Sequence, residues 1–155
     1  MPGNRTLGPG KGDTRRKALR SVATILARYE LRKLKRLLGD FDNDIMLPLL
    51  LGEIALHNVG VLENGTEHEP EMPLRPCNAY SIAAATGLPR ETVRRKIGRL
   101  VEQGWVEKCD NGHLYMTDRT LEHFSKLLQS RDLPELLDTA ERVRALLGTA
   151  PVDER

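Results

Sequence analysis

Aromatic residues are scarce in this chain: one Trp, three Tyr and two Phe, 4% of 155 residues. A packed core must therefore rest on Leu, Ile, Val and Ala, the side chains of helical proteins. Cysteine is scarcer still. Cys77 and Cys109 are the only two, which excludes a disulfide framework and a Cys-x-x-Cys zinc motif and suits a reducing compartment. Long apolar runs are missing as well. The most apolar stretch, residues 45–56, is interrupted by Pro48, Gly52 and Glu53 and is too short to cross a bilayer. The N-terminus carries no secretory pattern of basic, apolar and cleavage segments. The expected location is the cytoplasm, with no membrane partner.

Chemistry-bearing patterns are equally thin. His57, His68, His113 and His123 form no His-x-x-x-His pair, so no metal site is expected. No P-loop, dinucleotide fingerprint or Ser–His–Asp ordering occurs. An enzyme is the least supported class; no catalytic residue and no cofactor are expected. Glu63, Glu67, His68, Glu69 and Glu71 cluster in one loop, but their spacing defines no coordination geometry, and a solvated acidic loop is the simpler reading. Cys109 beside Lys108 is either an inert thiol or a redox-sensing one, and Cys77 falls under the same question.

What is present is sorted charge. The net charge is only +2, yet residues 1–40 carry +8 and residues 41–76 carry −6. Residues 77–117 carry +2 and the remainder −2. Basic residues gathered into blocks suit an anionic partner.

In chain order, residues 1–13 are rich in Gly and Pro and read as a flexible basic arm, either a plain terminus or one that reaches along DNA. Residues 14–38 read as a long helix with Leu19, Val22, Ala23, Leu26, Leu34 and Leu37 on one stripe. Its basic side is either solvated or in contact with phosphates. Asp42, Asn43 and Asp44 offer N-cap side chains for a second helix reaching about His57, apolar nearly all round and expected to be the most buried. A loop follows at 59–76.

Residues 78–117 carry the strongest pattern. Asn78 is a good N-cap for a short helix. Gly87 supplies a sharp bend and Leu88 plugs the corner. A longer basic helix at 89–103 then buries Val93, Ile97, Leu100 and Val101 on one side. At 100° per residue this turns Glu91 and Arg95 outward and leaves Arg90 in the exposed first turn. Arginine grips guanine bidentately and glutamate accepts from cytosine, so Arg90, Glu91 and Arg95 are the expected base readers. Asn78, Ser81, Thr92, Arg94, Lys96 and Arg99 are expected on the DNA backbone. Residues 105–116 read as a hairpin turning at Asp110-Asn111-Gly112. This is a wing whose Lys108, Asn111, Gly112 and His113 meet the backbone or minor groove, while Trp105 packs inward.

The run from Ser81-Ile82-Ala83 through Thr86-Gly87-Leu88-Pro89-Arg90-Glu91-Thr92-Val93-Arg94-Arg95, then Leu100-Val101-Glu102-Gln103-Gly104-Trp105-Val106, resembles a bacterial winged helix-turn-helix. The Arg-Glu-Thr-Val-x-Arg segment is similar to the recognition helix of the catabolite activator protein family. That resemblance also gives base reading to Arg90, Glu91 and Arg95. The surrounding helices resemble the MarR family of dimeric regulators, which implies a small-molecule effector pocket of unknown ligand.

After the hairpin, one helix carries Leu121, Phe124, Leu127 and Leu128. Asp132-Leu133-Pro134-Glu135 reads as a capping-box start for a last helix with Leu133, Leu136, Leu137, Ala140, Val143 and Leu147. The expected fold is mainly α with a small β-hairpin: a winged helix-turn-helix with N- and C-terminal dimerisation helices. Residues 14–148 form a single winged-helix domain, with 14–38 and 118–148 as dimerisation elements, 42–117 as the winged core and 149–155 as a tail. The expected function is sequence-specific binding of double-stranded DNA as a homodimeric transcriptional regulator. Two alternatives stay open: a winged-helix module that docks a protein, and a plasmid or phage replication or partition factor.

Overall fold

A computed structural model describes residues 11–60 and 74–148. The expectations for residues 1–10, for most of the acidic loop with His68, and for the tail from residue 149 lie outside the described residues. The elements run α1 (Lys11–Asp40), α2 (Met46–Val59), α3 (Ala79–Thr86), α4 (Arg90–Glu102), β1 (Val106–Lys108), β2 (Leu114–Met116), α5 (Asp118–Leu127), a π-helical turn (Leu128–Asp132) and α6 (Leu133–Leu147). The protein is thus mainly helical with one small antiparallel sheet. No described helix is long and apolar enough to cross a membrane.

The chain divides into two compact units, Arg36–Leu127 on one hand and Met1–Lys35 with Leu128–Arg155 on the other. The first is built on α2. Leu47, Leu50, Leu51 and Ile54 pack with Ile82 and Ala83 of α3, Val93, Ile97 and Leu100 of α4, and Val106, Leu114 and Met116 of the hairpin. Short turns let these elements share one core. Phe41 N–H donates to the Leu38 carbonyl, and Asp42 and Asn43 both take left-handed conformations (φ 52° and 61°). Asp and Asn accept that region more readily than most residues. Asp44 then accepts from the Met46 N–H at 3.1 Å, but the N-cap of α2 falls on Ile45, which makes no side-chain capping bond, so none of the three expected residues is the N-cap. Phe41 itself is fully buried and stacks on Trp105 with ring centroids 5.0 Å apart. Trp105 indeed faces inward, between Phe41, His123 and Phe124.

Asn58 pins the end of α2 to the hairpin. Its side chain, 1% exposed, donates to the Arg75 and Leu114 carbonyls and accepts from the Met116 N–H. Filling an amide's donors and acceptor inside a core is strongly orienting, because any displacement leaves a buried polar group unsatisfied. The sheet pairs Val106 with Met116, Glu107 with Tyr115 and Lys108 with Leu114, and Cys77 bridges to the outer side of Leu114. As expected, α2 carries the most buried residues of the described helices, although Leu49 and Leu56 stand half or more exposed on its far side.

In the other unit, Arg32 of α1 and Glu135 of α6 form an ion pair at 2.7 Å. Tyr29 and Thr139 are its buried side chains among the described residues. Leu19, Leu26 and Leu34 of α1 and Leu133, Leu136, Leu137 and Leu147 of α6 are all exposed. The expected capping-box start at Asp132 does not form. Asp132 is helical with no capping bond, its carboxylate pairs with Arg131, and the π-helical turn carries the chain into Pro134 near the start of α6. A wider turn accommodates a proline that a regular helix interior would reject.

Candidate nucleic-acid interface

The α3–α4 corner follows from local rules. Asn78 and Ser81 form a reciprocal capping box: Asn78 Oδ1 accepts from the Ser81 N–H at 2.9 Å and Ser81 Oγ accepts from the Asn78 N–H at 3.1 Å. α3 stops at Gly87, left-handed at φ 68°, whose N–H returns to the Ala83 carbonyl. Leu88 packs against the core, and Pro89 sits at the N-cap position of α4. Three buried residues, Val93, Ile97 and Leu100, anchor the inner face of α4. Its outer face is left to charged side chains.

Those charges sort into three groups. The first is tied inward. Lys96, only 17% exposed, pairs with Asp44, and Arg99 approaches Asp42 at 3.4 Å beside Gln103, which donates to the same carboxylate at 3.1 Å. The Lys96 hydrogen bond holds the Asp44 carboxyl below its ordinary range. The second group is closed on itself. Arg94 grips Glu91 with two bonds, at 2.6 and 3.0 Å, and the guanidinium holds the Glu91 carboxyl below its usual range. The third group is available. Arg95 is exposed and makes no hydrogen bond or ion pair among the described residues. Arg90 lies over the Tyr80 ring, 4.4 Å from its centroid, a cation–π contact that restrains its direction while leaving its N–H edges free.

The hairpin stands beside this face. Cys109 and His113 continue the ladder, the Gly112 N–H returns to the Cys109 carbonyl, and Gly112 is left-handed at φ 83°. The loop is therefore the three-residue kind, a β-turn closed by a left-handed residue, and Asn111 does not take the positive φ of a two-residue Asn-Gly turn. Asn111 bonds the His113 backbone and ring at 3.1 Å. Lys108 is exposed and free of ion pairs among the described residues. Between the start of α3, α4 and the hairpin lies an open cleft of about 370 Å³ lined by Asn78, Tyr80, Arg94, Gly98, Lys108 and Gly112.

Set against the expected sites, all three base readers are exposed, but Arg90 lies about 140° around the helix from Arg95 and Glu91 is engaged by Arg94. Of the expected backbone set, Asn78 and Ser81 lie at the α3 N-terminus with their side chains bonded to each other, and Thr92 is half-buried. Lys96 departs most, since it is shielded on Asp44 rather than free for a phosphate. Sequence reasoning passed over Tyr80, whose ring supports Arg90. A lone aromatic at the second position of a short helix carries no periodic signal, though an exposed Tyr in an aromatic-poor chain is a usable hint. Cys77 is buried and its thiol is pushed up to about 11 by that burial, whereas Cys109 is exposed. No group of three or more metal-ligating side chains exists among the described residues. No family profile, curated protein or solved structure matches the chain.

Proposed function

We propose that the protein binds double-stranded DNA in a sequence-specific way, as a homodimeric transcriptional regulator of winged helix-turn-helix type. The observation that carries this reading is the exposed surface of α4, with Arg90 in its first turn and Arg95 on the side away from the buried Val93, Ile97 and Leu100. A helix of this width fits the major groove, and arginine is the commonest reader of guanine there. The hairpin with Lys108 lies at the flank where a wing meets the adjacent backbone, and the start of α3 offers its first N–H groups to a phosphate. Glu91 joins the reading when Arg94 turns to a phosphate; the exposed pair is weak enough to exchange. The bare leucines of α1 and α6 supply surface for a second copy, and two copies match a pseudopalindromic site. An effector and the state of Cys109 would act on this dimer.

Selection of bound duplexes from a random pool tests the reading, followed by titration of the recovered site. Arg95→Ala is expected to relax preference at one base pair and to weaken the selected site roughly 5- to 150-fold, the worth of one bidentate contact. Arg94→Ala is expected to weaken all sequences evenly and to lower the salt dependence by about one ion. Should Arg90→Ala and Arg95→Ala both leave the recovered site and its affinity unchanged, α4 is not the reader. If no duplex binds even at low salt, the fold serves a protein partner instead.

A further inference from the structure

Of the six aromatic side chains, five are buried or half-buried and Tyr80 alone is exposed, at 62%. It stands in the first turn of α3, which turns Ile82 and Ala83 into the core instead. A ring left in water gains nothing from burial, so its use lies in what rests on it. That is Arg90, whose guanidinium carbon is 4.4 Å from the ring centroid.

The cations of α4 are restrained in two different ways. Arg94, Lys96 and Arg99 pair with the carboxylates of Glu91, Asp44 and Asp42. A carboxylate occupies N–H donors and offsets the charge that a nucleic acid would meet. Arg90 has no such partner among the described residues, and its restraint is the Tyr80 ring. Arg90 and Tyr80 line a hollow of about 260 Å³ with Ala83, Ala84, Gly87 and Leu88, none of which has a hydrogen-bonding side chain. A ring attracts the cation through its face and leaves the N–H edge unbound. Arginine has many rotamers, and fixing one on binding costs affinity unless its direction is already set.

We infer that Tyr80 is a positioning residue for base recognition: its ring holds the Arg90 guanidinium ready for one guanine. Preference at that base pair then depends on a residue of α3 that itself touches no base. The inference rests on the DNA reading above and adds to it which arginine is organised in advance. Arg95, exposed and without a partner among the described residues, has no such support, so a change at Tyr80 separates the two.

The test uses the full chain, the duplex recovered by selection and its single-base-pair variants. Tyr80→Leu keeps an apolar helix former at an exposed position and removes no charge, so helical content and salt dependence are expected to stay as in wild type. It is expected to weaken the selected duplex about 2- to 5-fold, the worth of an exposed cation–π contact. Preference is expected to flatten only at the base pair that Arg90→Ala also flattens, while the one set by Arg95 persists. Tyr80→Phe keeps the ring and is expected to bind like wild type. Added to Arg90→Ala, Tyr80→Leu is expected to cost nothing more. In the free protein, NMR is expected to show the Arg90 δ-protons shifted upfield by the ring in wild type and Tyr80→Phe, and unshifted in Tyr80→Leu. The inference is overturned if Tyr80→Leu weakens all duplexes evenly, adds its loss to that of Arg90→Ala, or is matched by Tyr80→Phe. Wild-type preference in Tyr80→Leu also overturns it, and leaves the DNA reading standing. If Arg90→Ala alters no base preference, base reading by Arg90 fails and the inference falls with it, whatever the NMR shows.

Discussion

The two compact units of this protein bury their apolar side chains very differently. Among the described residues, every buried hydrophobic one except Tyr29 belongs to Arg36–Leu127. The described part of the other unit exposes Leu19, Leu26, Leu31 and Leu34 on α1 and Leu133, Leu136, Leu137, Leu146 and Leu147 on α6. The first is a self-sufficient core in which short turns bring helices and a hairpin around α2. The second consists of long helices whose apolar side chains are largely exposed. The difference teaches that regular helix and buried core are separate achievements: α1 is the longest helix and among the least buried.

The sharpest way to break this comparison is truncation on both sides. Ile54→Ala, at a fully buried position, is expected to lower unfolding free energy by about 2–5 kcal/mol. Leu136→Ala, at a position 46% exposed, is expected to cost less than about 0.5 kcal/mol in dilute solution. Urea unfolding at several protein concentrations checks both. Equal losses at high dilution would mean that the second unit has a core of its own.

A smaller effect concerns the ties that hold the turn before α2 to α4. The Asp44 carboxyl is held below its ordinary value, first by the Lys96 hydrogen bond. Its folded value being depressed, the contribution to stability is present above the unfolded pKa, about 4, and is lost as pH falls through the folded value. Lys96→Met is therefore expected to be less stable than wild type at pH 7 and to approach it at pH 2.5. A difference that persists undiminished at pH 2.5 would trace the loss to packing of the lysine stem. The least effect, and the easiest to measure, is thiol reactivity. In the native protein one thiol, Cys109, is expected to react promptly with a disulfide reagent at pH 8, and the second, Cys77, only after unfolding, because burial raises its pKa to about 11.

Much of the α3–α4–hairpin segment was legible because its signals are local. Asn78 with Ser81, Gly87, the Val93–Ile97–Leu100 spacing and the Asp110-Asn111-Gly112 turn each act within a few residues, so one strand of text contains both partners. Phe41 was not legible. It stands alone in a polar turn, and only the approach of Trp105, far along the chain, makes it core. Asn58 was not legible as a buried clamp either, because its partners Arg75, Leu114 and Met116 lie far along the chain.

By itself the sequence determined which segments are helical, where the chain turns, that Arg95 faces outward on α4 and that Arg90 lies exposed in its first turn, because periodicity and capping are properties of neighbours. Only the tertiary structure decided which charges remain free. Lys96 was expected on a phosphate and Glu91 on a base, yet Asp44, beside the left-handed turn at Asp42 and Asn43, withdraws Lys96, while Arg94 holds Glu91 from one turn away. Charge pairing depends on distances between side chains, and those distances are set by how the core packs.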